Sequence, residues 1–508
     1  MIPRVRPALA IALLPCAVAA QQFGAAQVIS NTQKNSQSVH SADLDGDGDM
    51  DVLATSWGND RVTWYENTDG AGSFGPMQVI TSSAVGARAV VAADIDGDGD
   101  MDVVCASDFD DKVRWFRNLD GLGSFGNAIV VASIHSPRAV FVGDLDGDGD
   151  VDVIAPSYFD SEVGWYENSN GLGSFNAKQL ISSATFGALT VSAADVDGDG
   201  DLDALSGSEL DDEVSLFVNT DGLGSFGAQV IISAAADSVR LVHADDLDGD
   251  GDPDVLSASH NDDKVAWYEN SDGLGSYGAE QIITTSADSA RAVTTSDLDG
   301  DGDADVIAAA YLGDYVAWYE NTDGLGSFGT EQLVVSGLNG AHGVFAADLN
   351  GDGSQDVLSA SWLTNEISWY ENLAAPLNAS PATISLTTGG SQQMSLKAGT
   401  AFAGLPYLVL GSTTGTTPGI PIDSWLIPLN LDGYTTMTLI APNSGPLGNT
   451  FGLLDSSGAA SASFTVPAGM PASLVGVNLD HAAVVIELLP TLLHLVFVSN
   501  AVSLQLVP

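Results

Sequence analysis

The string Asp-x-Asp-Gly-Asp-Gly-Asp-x-Asp begins at Asp43, Asp94, Asp144, Asp195, Asp246 and Asp297, and a variant begins at Asp348. Successive copies start 51, 50, 51, 51, 51 and 51 residues apart. So regular a period demands one supersecondary unit built seven times, each burying its apolar face against the next. Every unit holds four short strand candidates. An apolar run such as Arg88-Ala-Val-Val-Ala-Ala enters the Asp loop, and Asp102-Val-Val-Cys-Ala-Ser leaves it. An aromatic strand such as Val265-Ala-Trp-Tyr-Glu-Asn follows, then a turn like Asp272-Gly-Leu-Gly, then Tyr277-Gly-Ala-Glu-Gln-Ile-Ile. Four strands per unit and no helical periodicity predict an all-β chain whose repeats form a seven-bladed β-propeller.

Trp64, Trp115, Trp165, Trp267, Trp318 and Trp369 share one register position, with Leu216 in the remaining unit. A large ring recurring in each unit is expected to pack between neighbouring blades, not to stack on a ligand. The order of elements predicts how the ring closes. Phe23-Gly-Ala-Ala-Gln-Val-Ile copies a fourth strand, whereas the repeats end at Trp369-Tyr-Glu-Asn372, a copy of the third. The N-terminal segment should therefore supply the outer strand of the last blade and leave no unpaired edge. After residue 373 the Asp loops disappear. Short apolar runs punctuated by Gly, Pro, Ser and Thr then predict a small antiparallel β-sandwich-like domain over 374–508. The apolar stretch Ala482 to Val498 is interrupted by Glu487, Pro490 and His494, so it reads as strands.

Residues 1–20 read as a signal peptide: Arg4 and Arg6, then Ala8 to Leu14, then the small residues Ala17 to Ala20. The apolar stretch is too short for a membrane span. Pro15 before Cys16 argues against lipoprotein cleavage, and Cys105 is then the one cysteine left, so no intramolecular disulfide is expected. The propeller is assigned to 21–373. The 67 acidic residues against 14 basic ones give a formal net charge of -53. Such a surface repels phosphate backbones, so neither nucleic acid nor an anionic membrane is an expected partner.

The seven loops contribute 33 of those 67 acidic residues. Calcium takes six to eight hard oxygen ligands, and clustered carboxylates repel one another without a cation. In each loop the first, third, fifth and ninth positions can offer carboxylates, the seventh a backbone carbonyl, and the sixth is a glycine suited to the tight bend. The candidate ligands are Asp43, Asp45, Asp47, Asp49 and Asp51 in the first loop, and Asp94, Asp96, Asp98, Asp100 and Asp102 in the second. Asp144, Asp146, Asp148, Asp150 and Asp152 form the third set; Asp195, Asp197, Asp199, Asp201 and Asp203 the fourth. Asp246, Asp248, Asp250, Asp252 and Asp254 form the fifth, and Asp297, Asp299, Asp301, Asp303 and Asp305 the sixth. The seventh, Asp348, Asn350, Asp352, Ser354 and Asp356, is expected to bind more weakly. An EF-hand would place a bidentate Glu at the twelfth position. Ala54, Cys105, Ala155, Ser206, Ser257, Ala308 and Ser359 stand there instead. Up to seven Ca2+ ions are expected, in strand-loop-strand sites.

With its Asp loops and the pairs Phe74-Gly75, Phe125-Gly126, Phe226-Gly227 and Phe328-Gly329, the chain resembles the FG-GAP/VCBS repeat family, the propeller repeat of integrin α subunits and of many exported bacterial proteins. The resemblance spans about residues 22–373 and implies the fold and the metal. It leaves function open, because one fold hosts many activities.

No Gly-x-Ser-x-Gly elbow, His-Glu-x-x-His site or phosphate loop is present, and the histidines are scattered. Two function classes follow. One is a secreted binding or adhesion module, expected as a monomer, for an extracellular carbohydrate or protein ligand. The other is a polysaccharide-active, lyase-type enzyme; a plain spacer for the C-terminal domain is a third reading. Aligned on the first Asp, one position reads Gln37, Arg88, Arg138, Leu189, Arg240, Arg291 and His342. Another reads Trp57, Asp108, Tyr158, Glu209, His260, Tyr311 and Trp362. The resemblance to integrin-type propellers implies that both lie on the face opposite the Asp loops. Arg88, Arg138, Arg240, Arg291 and His342 with Trp57, Tyr158, His260, Tyr311 and Trp362 are therefore candidates for binding an acidic ligand. The alternative is that each arginine pairs with an acidic neighbour and balances local charge.

Overall fold

The computed structural model describes residues 23–299, 303–351, 354–373, 377–380, 383–397, 402, 404–414, 420–422, 425–427, 429–455, 459–489 and 492–507. The segment read as a signal peptide lies outside them. The chain forms two units, 21–374 and the region after it.

The first unit is a series of seven four-stranded antiparallel sheets, β-propeller-like repeats of the expected period. In the first sheet Ser36–Ala42, Asp51–Ser56, Arg61–Tyr65 and Gln78–Thr81 lie side by side in chain order. The second strand is buried along its whole length in every sheet, as in Asp51–Ser56 and Asp102–Ser107, because it is covered on both faces. One strand departs from the pattern. The third sheet opens with only Phe141–Gly143, where others have seven residues, because Pro137 has no N–H to donate to a ladder. The seventh sheet is completed from the N-terminus. Gln27–Ser30 pairs antiparallel with Ile367–Tyr370, setting Gln27 opposite Trp369, and Phe23 bridges Asn372.

Two features join neighbouring sheets. The six tryptophans are buried, and all but Trp318 face a glycine in the turn of the following sheet. A β-carbon at Gly123 would meet the ring of Trp64, at Gly173 that of Trp115, at Gly224 that of Trp165, and at Gly326 that of Trp267. The same contact joins Gly72 of the first sheet to Trp369 of the seventh. Only glycine fits there, since φ is near +75° and the ring fills the space a side chain would need. The second feature is a buried asparagine after each third strand. Asn118 Nδ2 donates to the Leu44 carbonyl of the preceding sheet at 2.8 Å, and Asn168 to Ile95 at 2.8 Å. Asn67 of the first sheet donates to Leu349 of the seventh at 2.8 Å.

The second unit has a four-stranded sheet, ordered Leu377–Ser380, Gly390–Lys397, Ala459–Val466, Leu447–Gly448. A five-stranded sheet is ordered Thr383–Ser385, Leu492–Val507, Asn478–Leu489, Pro406–Ser412, Phe451–Leu453. Met394, Leu396 and Phe464 from the first sheet share one core with Tyr407, Val409, Val485 and Leu504 from the second. The apolar segment read as strands forms the hairpin Asn478–Leu489 with Leu492–Val507. Two points correct the sequence reading. Thr383–Ser385 pairs parallel, not antiparallel, with Leu492–Val507. The expected absence of helix fails at Gly433–Ile440, an α-helix. Its N-cap, Asp432, accepts from the amides of Tyr434 and Thr435, while Thr435 Oγ1 accepts from the Asp432 amide, a capping box that stabilises a turn with weak apolar periodicity. Among the described residues no helix is long and apolar enough to cross a membrane.

Candidate functional site

Each Asp loop links the first two strands of its sheet, so its residues are presented by paired backbone on both sides. Glycines four and six of the string carry positive φ, 75° at Gly46 and 96° at Gly48, and wrap the chain about the first aspartate. Asp43 Oδ1 accepts from Gly46 N at 2.8 Å and Oδ2 from Gly48 N at 3.0 Å. The aspartate at the ninth position is buried and holds the loop to its sheet. Asp51 Oδ2 accepts from Leu44 N at 2.9 Å and Oδ1 from Asn67 N at 2.8 Å. The same two bonds form at Asp102, Asp152, Asp203, Asp254, Asp305 and Asp356. The ninth residue is thus a bracket as well as a carboxylate facing the loop interior. The asparagine it holds is the one that bonds the preceding sheet, so every loop is tied to its neighbour through two side chains. The sequence reading missed this asparagine series, although it recurs at one register position.

The carboxylates converge. One oxygen each from Asp43, Asp45 and Asp51 lie within 4.8 Å of one another, as do those of Asp94, Asp96 and Asp102, and of Asp144, Asp146 and Asp152. In the fourth and fifth loops the cluster is Asp195, Asp197 and Asp199, and Asp246, Asp248 and Asp250. Asp301 of the sixth loop and Asp352 of the seventh lie outside the described residues. The seventh-position side chain points elsewhere: a β-carbon at Gly70 would meet the Asp49 carboxylate, and one at Gly121 that of Asp100.

The donor set suits a hard divalent cation. Oδ1 of Asp45, Asp96 and Asp197 is buried with no hydrogen-bond partner, a costly state that a coordinated ion relieves. Burial, then repulsion from the fifth-position aspartate, pushes the Asp45, Asp146, Asp197 and Asp248 carboxyls above the usual range. Burial pushes Asp51, Asp152 and Asp254 up to about 7, and Asp102 and Asp203 up to about 6.

The second residue set lies at the other end of the same strands. Arg88, Arg240 and Arg291 stand near the start of first strands, and Arg138 just before one. Arg88 pairs with Asp108 at 3.2 Å, and Arg138 and Arg240 both reach Glu209, at 3.4 and 2.6 Å. Arg291 differs. Its guanidinium lies 4.6 Å from the Tyr311 ring centroid, its Nε is buried without a partner, and no ion pair meets it among the described residues. Burial first, then the neighbouring Arg240, lower its pKa to about 10, so it stays charged. Four guanidinium groups against two carboxylates leave this patch with two positive charges in a chain of net charge -53.

The aromatic candidates form an arc beside it. Tyr311 meets His342 edge-on, His342 stacks on Trp362 at 5.8 Å, and Trp362 meets Trp57 at 5.2 Å, from the sixth and seventh sheets to the first. Trp57 Nε1 donates to Asp108 Oδ1 at 3.2 Å, and Arg138 lies over Tyr158 at 3.5 Å. Burial, then nearby arginines, hold His260 at about 4 and His342 well below its usual value, so both are neutral at pH 7. His260 is engaged by Ser289. Phe109, Phe159, Leu210, Leu312 and Leu363 follow the rim residues and project into solvent, 58–64% exposed. Their shared register was the signal that sequence reading passed over.

Solved structures that resemble this one include the following two. The biofilm matrix protein Bap1 of V. cholerae is 14% identical with a TM-score of 0.34, over 82% of this chain and 66% of that one, so the chain spans just under two thirds of that length. A functionally unknown protein from Desulfotomaculum acetoxidans is 9% identical with a TM-score of 0.43, over 62% of this chain and 93% of that one. No curated protein matches the sequence. The family model for the FG-GAP-like repeat matches residues 43–105, 94–155, 155–206, 246–308 and 297–359. These segments cover more than half of the chain and contain all seven Asp loops, and the chain belongs to the FG-GAP-like repeat family.

Proposed function

We propose that this chain is an exported, calcium-binding seven-bladed β-propeller, followed by a β-sandwich-like domain, that captures an anionic extracellular ligand as a binding or adhesion module. Calcium in the Asp loops braces the blades, and the ligand docks at the arginine-bearing ends of the same strands. One observation carries the ligand class: the excess of guanidinium over carboxylate among Arg88, Arg138, Arg240 and Arg291, with Arg291 left without an acidic partner among the described residues. A carboxylate or sulfate would complete that site with charge-assisted, bidentate hydrogen bonds, while Tyr311 and Trp362 offer apolar faces beside it. The pairing of three arginines with Asp108 and Glu209 orients them and does not cancel their charge.

The test is an array of acidic glycans and acidic peptides probed with the calcium-loaded protein and with Arg291→Ala. Capture of acidic members that Arg291→Ala loses at unchanged melting temperature supports the reading. Indifference to acidic groups, or capture unaffected by Arg291→Ala, refutes it.

A further inference from the structure

The seven loops are near-copies, but one of them has a cation of its own. Just after the third strand, one register position reads Glu66, Arg117, Glu167, Val218, Glu269, Glu320 and Glu371. In four sheets a glutamine of the fourth strand holds that glutamate: Gln78 to Glu66 at 3.4 Å, Gln179 to Glu167 at 3.2 Å, Gln281 to Glu269 at 3.3 Å and Gln332 to Glu320 at 3.3 Å. The glutamates stand close enough to repel the aspartate at the third loop position, as Glu66 does Asp45 and Glu269 does Asp248.

In the second sheet both partners differ. Ile129 replaces the glutamine, and Arg117 turns into the Asp loop. Its Nε lies 2.6 Å from Asp96 Oδ2, and a terminal guanidinium nitrogen lies 2.8 Å from Asp98 Oδ2. These are the third and fifth loop positions; in the first, third, fourth and fifth loops the third-position aspartate is repelled by neighbouring carboxylates. The Arg117 side chain is 46% exposed, so it can leave the loop without disturbing the core.

We propose that Arg117 is a built-in counter-cation that makes the second loop the weakest of the six complete Asp loops for a divalent cation, able to fold with the guanidinium in place of the ion. An incoming ion must displace two charge-assisted bonds and enter a site whose neighbouring charge is reversed relative to the glutamate-bearing loops. The proposal rests on the reading of the loops as calcium sites. Displacing such bonds corresponds to an affinity about 10–100-fold below that of the other complete loops.

The experiment is equilibrium dialysis of the full-length protein against graded calcium, with bound metal counted by elemental analysis, for the unmodified chain, Arg117→Gln and Glu66→Arg. Arg117→Gln should move one ion from the weak class into the tight class, and Glu66→Arg should move one ion out of it. In chelator, Arg117→Gln should also melt lower than the unmodified chain, because Asp96 and Asp98 lose their partner; with saturating calcium that deficit should vanish. An unchanged tight-site count in both variants overturns the role of Arg117 and leaves the calcium reading standing. No calcium bound by the unmodified chain overturns both.

Discussion

The contact that five of the tryptophans make with a glycine of the next sheet can be isolated, because the chain contains its own control. Gly173 and Gly275 occupy the same turn position with φ of 75° and 77°. A β-carbon at Gly173 would meet the Trp115 ring, whereas at Gly275 it would stand 3.1 Å from Leu216 Cδ2, the end of a flexible side chain. Alanine at either site carries the left-handed backbone cost of about 1–2 kcal/mol. At Gly173 it also overpacks a buried ring in a close-packed interface, a further 1–3 kcal/mol or so. Gly173→Ala should therefore lose roughly 2–5 kcal/mol and Gly275→Ala only about 1–2 kcal/mol. The assay is urea unfolding at saturating calcium, with stability taken from midpoint and slope and the slopes compared between variants. Equal losses at the two sites would refute the inter-sheet packing argument, as would a negligible loss at Gly173.

Two further outcomes follow from buried polar groups. Asn118→Ala should cost about 1–3 kcal/mol in the same assay, because the buried Leu44 carbonyl loses its donor; Asn118→Asp should cost more, since it sets a carboxylate against that carbonyl. A stability equal to that of the unmodified protein in both variants would remove the asparagine series from the account. In the second unit, His481 Nε2 lies 2.8 Å from the Tyr434 hydroxyl, and burial holds its pKa at about 4. A histidine depressed on folding stabilises fully above its unfolded value near 6.5, and that contribution is lost as pH falls toward 4. The loss amounts to roughly 3 kcal/mol, and His481→Gln should flatten it in melts followed by circular dichroism between pH 7 and pH 4.5. An unaltered pH profile would contradict the assignment.

What the sequence made legible was whatever repeats. The period predicted the seven sheets, the Asp loops and the buried tryptophans, and the mismatch between Phe23 and Trp369-Tyr-Glu-Asn372 predicted which strand pairs with which. What stayed hidden depends on which side chains meet across sheets. Asn118 reads as an ordinary turn residue until Leu44 is found beside it, 74 residues away in the chain. The arginine series was visible as a register, but its charge balance was not. That Glu209 serves both Arg138 and Arg240 while Arg291 meets an aromatic ring depends on three-dimensional placement. The region after residue 373 has no period to amplify weak signals, so its parallel strand pair and its capped helix Gly433–Ile440 were missed.

The proposed role of calcium, holding the repeats together from the Asp loops, is tested most directly by thermal melting of metal-free and calcium-loaded protein. An ion present at 100 times its dissociation constant stabilises the native state by about 2.7 kcal/mol per site, and these contributions add over independent loops. The melting temperature should be lower by about ten degrees or more in chelator and restored by calcium, with bound metal near one ion per complete loop. A melting temperature unchanged after verified removal of metal would contradict it.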